Sequence, residues 1–146
     1  MISIVIPGEP VAQGRPRAFR LPGGGIGGGI RMHDPAKSRS WKAEARAAIV
    51  NALDAQDLAI AFPDGACVVS VLAVFSCPKS DFRKVPRPRR PHAKRPDAEN
   101  VAKAVLDAGT GALWRDDAQV SRLTVEKQIG AQGERPYVQI EVSPWS

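Results

Sequence analysis

The run "ACVVSVLAVFS" at residues 66–76 constrains this fold more than any other segment. It is β-branched and almost continuously apolar, so it reads as a central strand buried on both faces. Such a strand needs partners along both edges. "ISIVI" (2–6), closed by Pro7-Gly8, supplies one candidate. "AQVSRLTVEKQIG" (118–130) sets Val120, Arg122, Thr124 and Glu126 against Leu123, Val125 and Lys127, as a strand with mixed faces would. "YVQIEV" (137–142) alternates Val138, Ile140 and Val142. Gly130 and Gly133 lie in the short loop between these last two, and predict an antiparallel hairpin.

Two helices complete the pattern. Asp34-Pro35 forms a helix start, with Asp as N-cap and Pro in the first turn. Trp41, Ala45, Ala48, Ile49 and Ala52 then make one apolar stripe, with Arg39, Lys42 and Arg46 on another face. A second helix is expected over 98–108, ended by Gly109 and Gly111. The order β, α, β, α, β, β predicts an α+β fold. One small domain spans 1–146, with a mixed sheet of about four strands and two main helices. A chain of 146 residues, 43% of them hydrophobic, can bury one core.

The apolar runs fall short of the roughly 20 residues that cross a membrane. "MISIVIPGEP" carries no basic leader, so a cytoplasmic protein without a membrane partner is expected. Cys67 and Cys77 bracket one strand, roughly 33 Å apart if extended. A disulfide needs Cα atoms within about 7 Å, so both read as buried free thiols. The glycines of "LPGGGIGGGI" (21–30) resemble a phosphate loop only in composition. Arg31-Met32 stands where Gly-Lys-Ser/Thr would be needed, so a flexible hairpin tip or loop is expected.

The net charge is +6, and it clusters. From Lys79 to Arg95 there are eight basic residues against one acid, Asp81. Pro86, Pro88 and Pro91 forbid a helix there, so 79–95 reads as an extended loop able to follow a phosphate backbone. Directly behind it, "RPDAEN" (95–100) places Asp97 and Glu99, and "WRDDAQV" adds Asp116 and Asp117. Oxygen-only ligands of this kind suit Mg²⁺ or Mn²⁺, ions that polarise a phosphate and activate a water. The arginines would hold a polyanion, and the acids the cation that cuts it. Each acid also has an ordinary explanation. Asp97 is a good N-cap, Glu99 suits a helix dipole, Glu99, Lys103 and Asp107 form an i, i+4, i+8 ladder, and Asp116-Asp117 suits a turn.

"RPDAENVAKAVLDAGTGALWRDDAQVSRLTVEKQIG" (95–130) resembles the signature of the RusA family of Holliday junction resolvases: Lys/Arg-Pro-Asp-x-Asp-Asn-x-x-Lys, a helix ending in Asp-Ala/Gly, then Trp-x-Asp-Asp-x-Gln-Val. "GEPVAQGRPR" is similar to the family's opening. The resemblance implies a small α+β homodimer, of a family often carried by phages or prophages, that uses Mg²⁺ to nick four-way DNA junctions in recombination and repair. It makes Asp97, Glu99 and Asp117 the metal-site and catalytic acids, with Asp116 beside them and Lys103 as a phosphate-facing or catalytic lysine. Arg15, Arg17, Lys84, Arg87, Arg89, Arg90, Lys94 and Arg95 become DNA-binding candidates. Glu99 departs from the family pattern, which has Asp there.

A non-catalytic nucleic-acid binder on the same fold is the alternative. A Pro-Asp…Asp/Glu-x-Lys nuclease fits poorly, because three residues rather than one separate Glu99 from Lys103. His33 and His92 read as lone surface histidines. For a dimer interface, the sequence offers the strand "YVQIEV", Trp145 and the outer side of 66–76.

Overall fold

The computed structural model describes residues 1–12, 17–20, 30–33 and 36–146, with only the backbone described at 17–20 and 30–33. Arg15, the side chain of Arg17, the glycine segment 21–29 and the Asp34-Pro35 helix start therefore lie outside the described residues. In chain order the elements are β1 (Ile2–Pro7), β2 (Arg17–Arg20), β3 (Ile30–His33), α1 (Ala36–Asp54), β4 (Cys67–Phe75), β5 (Arg90–Pro91), α2 (Ala98–Gly109), β6 (Val120–Ile129) and β7 (Tyr137–Pro144).

The α+β expectation holds, but the main sheet has five strands rather than four, in the order β1-β7-β4-β6-β5. β2 and β3 pair separately as an antiparallel ribbon. β4 lies at the centre, parallel to β6 and antiparallel to β7. The predicted β6–β7 hairpin is therefore overturned, since β4 stands between the two strands. A hairpin would leave one edge of the most apolar strand unpaired. The chain instead crosses the end of β4, where the Gly130 N–H donates to the Phe75 carbonyl at 2.6 Å. A Cβ on Gly130 would sit 3.2 Å from that same oxygen, so glycine permits the close crossing.

Both helices cover one face of the sheet. Ile2, Ile4, Ile6, Val69, Val71, Val138, Ile140 and Val142 point into this layer and meet Trp41, Ala45, Ile49, Val101, Ala104 and Val105. The opposite face is only partly covered: Ser70, Leu72, Thr124, Glu126, Gln139 and Glu141 line a shallow hollow on it. β4 is thus fully buried on one side and half-buried along most of the other. The proposed apolar interface on "YVQIEV" needs correction for the same reason. Val138, Ile140 and Val142 are 0% exposed within the chain's own core, leaving Tyr137, Gln139 and Glu141 outward. Trp145 is 49% exposed, with the Arg122 guanidinium 4.7 Å from its ring centre.

α2 packs closely because its buried positions are small: Val101, Ala102, Ala104, Val105, Ala108 and Gly109. Its end is fixed by side chains. The Thr110 hydroxyl donates to Leu106 O at 2.9 Å and accepts the Trp114 indole N–H at 3.1 Å. Trp114 is fully buried, and a Cβ on Gly109 would lie 2.8 Å from two of its ring atoms. Cys67 and Cys77 are free and buried, as expected, and burial pushes the Cys67 thiol pKa up. Among the described residues, no helix is long and apolar enough to cross a membrane.

Candidate active site and nucleic-acid interface

Asp97 occupies the N-cap of α2, yet its carboxylate makes no capping hydrogen bond. The helix start is held by its main-chain carbonyl, which accepts the Asn100 and Val101 N–H groups at 3.1 and 3.2 Å. The carboxylate is exposed, directly behind the exposed Lys94 and Arg95. Glu99, in the first turn, pairs with Lys103 at 3.2 Å. Both side chains are more than half exposed, so the pair is worth a few tenths of a kcal/mol. Asp107 pairs with Lys42 of α1 at 3.4 Å instead of extending a ladder to Lys103.

The tandem acids divide their work. Asp116 caps the short 3-10 turn Asp117–Gln119, accepting the Ala118 N–H at 2.9 Å. Gln119 returns the favour: its Oε1 accepts the Arg115 and Asp116 N–H groups, and its Nε2 donates to Phe62 O and Gly65 O. Asp117 is left facing an open hollow of about 630 Å³ that Lys42, Arg46, Asp107 and Thr110 also line. Arg46 donates there to Ala108 O, in the last turn of α2, at 3.3 Å and to Thr110 O, at its C-cap, at 2.5 Å. Lys42 and Arg46, read as one basic face, thus staple α1 to the end of α2, while Arg39 remains exposed.

The structure does not bring the three acids together. Asp97 and Glu99 sit at the first turn of α2, and Asp117 sits beside its last. Twelve helical residues separate the two ends by about 18 Å. Among the described residues, no group of three or more His, Cys, Asp or Glu side chains is arranged to hold a metal ion. Among the described residues, one chain therefore places two carboxylates at the first turn of α2 and Asp117 at the other end of the helix.

The basic loop is more tightly built than its composition implied. Arg90-Pro91 forms β5 on the edge of β6. Arg90 pairs with Asp81 at 2.5 Å. Arg89 grips Glu134, with its Nε 3.0 and 3.1 Å from the two carboxylate oxygens, and also donates to the Tyr137 hydroxyl at 2.8 Å. The hydrogen bond from Arg89, followed by one from the Ala131 N–H, holds the Glu134 pKa below the usual carboxylate range. That bond in turn raises the Arg89 pKa. Arg89 and Arg90 are thus engaged within the protein. Lys84, Lys94 and Arg95 are exposed, and Arg87 is half-buried. His92 is half-buried against Phe75, with ring centres 4.6 Å apart, rather than a lone surface residue.

Lys127 is the residue that sequence reasoning missed. Its ammonium donates to Lys94 O at 2.7 Å and Pro96 O at 2.6 Å, straddling the cis Arg95–Pro96 bond and ending one residue before Asp97. Its own carbonyl accepts the His92 N–H at 3.0 Å. The available signal was its place on one face with Leu123 and Val125. Replacing Lys127 by Met keeps the stem and removes both charged hydrogen bonds. A stability loss of about 1–2 kcal/mol is expected, together with faster amide hydrogen exchange at Asn100 and Val101. Unchanged exchange at those two amides would show that Lys127 does not hold the start of α2.

A family model described as Endodeoxyribonuclease RusA matches residues 7–143. An uncharacterised protein, YqaN of Bacillus subtilis (strain 168), is 32% identical over 148 aligned residues, which cover 97% of this chain and 94% of that relative.

Proposed function

The chain belongs to the RusA family of endodeoxyribonucleases, and from that premise we propose that it nicks four-way DNA junctions as a homodimer that requires a divalent cation. The observation that carries this reading is the Asp97 carboxylate. It sits in a position that normally serves a helix, does not serve it, and stands beside exposed cations. An acid there repels a phosphate backbone unless a cation intervenes. The oxygen-only donors Asp97, Glu99 and Asp117 favour Mg²⁺, with Mn²⁺ as the second choice. Lys84, Arg87, Lys94 and Arg95 are the proposed phosphate contacts. Arg15 and Arg17 remain proposed on the resemblance alone. Lys103, whose pair with Glu99 is exposed, is proposed to exchange that partner for a DNA phosphate.

Two symmetric nicks require two acid sites related by a two-fold axis, and that is the argument for two copies. The separation of Asp97 from Asp117 adds a further one. We infer that Asp97 and Glu99 of one copy work with Asp117 of the other. Mixing Asp97→Asn protein with Asp117→Asn protein tests this directly. If the acids are shared across copies, the mixed dimer contains one intact site and regains single-strand nicking of a synthetic four-way junction. If each copy uses only its own acids, both sites stay defective and the mixture stays inactive. The wild-type protein is expected to nick the junction with Mg²⁺ or Mn²⁺, to spare linear duplex and to stop in EDTA. Full activity in EDTA would refute the metal requirement.

A non-catalytic binder has its own supporting observations. Asp116 caps a turn and Glu99 pairs with Lys103, both ordinary structural uses. Tight junction binding with no cut strand under any divalent cation would establish that reading instead.

A further inference from the structure

The tip of the basic loop is held firmly from behind. The Gln132 side chain accepts the Arg83 N–H at 2.9 Å and donates to the Arg83 carbonyl at 3.1 Å. The Gln132 N–H donates to the Arg87 carbonyl at 3.0 Å. These three bonds clamp Arg83 and Arg87 to the β6–β7 connection and leave Lys84, Val85 and Pro86 projecting between them. The grip of Arg89 on Glu134 braces the next turn of chain.

What the braced tip presents is apolar. Val85 is 81% exposed and Phe82, just before the first clamp point, is 42% exposed. Arg83, Lys84 and Arg87 surround them, and residues 82–90 contain no acid. A solvated charge loop needs neither the bracing nor the apolar end. An apolar end framed by cations is complementary to base faces that are open to solvent and flanked by phosphates. Apolar side chains enter nucleic acid as wedges between unstacked bases. A rigid tip enters with little loss of conformational freedom.

We propose that Val85, assisted by Phe82, is a wedge that enters the open centre of branched DNA and selects it over linear duplex. The inference rests on the junction-nicking reading and deepens it. Intact duplex keeps its bases stacked and gives the wedge nothing to meet. The branch point supplies bases that keep a stacking neighbour on one side only, so entry there is favoured.

The test uses the full chain in metal-free buffer and a four-way junction carrying 2-aminopurine at the crossover. Binding of the wild-type protein is expected to brighten the probe several-fold, because the base loses its stacking neighbour. Val85→Ser and the double variant Phe82→Ser/Val85→Ser are expected to lose that brightening. The ratio of junction affinity to duplex affinity is expected to fall at least tenfold in the double variant, and Val50→Ser on α1 controls for the loss of an exposed valine elsewhere. Equal brightening and an unchanged affinity ratio in the double variant would overturn the wedge, as would a bound wild-type junction that stays dark. These outcomes are separable from the failure of the nuclease reading. A protein that nicks junctions normally with serine at both positions loses only the wedge. One that brightens the crossover and never cuts it with Mg²⁺ or Mn²⁺ loses only the nuclease.

Discussion

Asp97→Asn is expected to reduce junction nicking by about a thousandfold or more, the range seen when a preorganised charge at a reaction centre is removed. Binding to the junction should persist or tighten, since one negative charge near the phosphates is gone. The same site should be nearly silent in a melting experiment. An N-cap Asp that accepts a helical N–H costs about 1 kcal/mol when replaced by Ala. The Asp97 carboxylate accepts none, so Asp97→Ala should cost only the weak dipole interaction of an exposed charge, about 0.5 kcal/mol or less. Activity and melting temperature measured on one preparation therefore separate the two roles. A loss of more than 1 kcal/mol with most of the activity retained would return Asp97 to helix capping.

Trp114→Ala is expected to be the most destabilising single change in the described fold. The ring is fully buried, fills the space against Gly109 and ties its indole N–H to Thr110. Large-to-small changes at aromatic core positions cost about 3–5 kcal/mol. At about 2–4 °C per kcal/mol for a domain of this size, the midpoint should fall by roughly 6–20 °C. Differential scanning calorimetry checks it. Asp117 lies three residues further on, so nicking should fall even below the melting transition, as the turn that carries this acid loses its packed base. A melting shift under about 2 °C would mean that the cavity closes by local collapse and that the pocket around Trp114 is not a structural anchor.

The contrast between these two residues explains what could be read in advance. β1, β4, α1 and α2 were legible because burial imposes a period on side chains: Ile2, Ile4 and Ile6 alternate along a strand, and Trp41, Ala45 and Ile49 recur along a helix. The acids were legible as residue types at fixed spacings. Pairing was not. The β6–β7 hairpin was inferred from a short glycine-containing loop. Nothing local to residues 130–136 reveals that Gly130 passes over the end of β4. β5 escaped because a two-residue strand, Arg90-Pro91, has no period to detect. The roles of the cations were equally hidden. Arg89 and Lys94 look alike as letters in a basic loop. One is held by Glu134 and the other is exposed, because residues 40 or so positions downstream fold back upon the first.

The parallel pairing of β4 with β6 has a consequence for how this protein can vary. Parallel neighbours need a long connection between them. Here that connection runs from residue 76 to 119 and carries the loop 79–95, Asp97, Glu99, Lys103 and Asp117. Nearly every candidate functional group is therefore an insertion between two strands whose register is set elsewhere, by the core of β4, by Val120 and Val125 of β6 packed against that core, and by the antiparallel hold of β7 on β4. Lengthening a closed loop costs only about 0.6 kcal/mol per doubling. The segment before α2 can thus grow, shrink or exchange its tip while the sheet stays as it is. On the proposed function, most of the groups that choose the substrate lie in one replaceable cassette, and changing that cassette is expected to alter the DNA shapes accepted while the sheet persists.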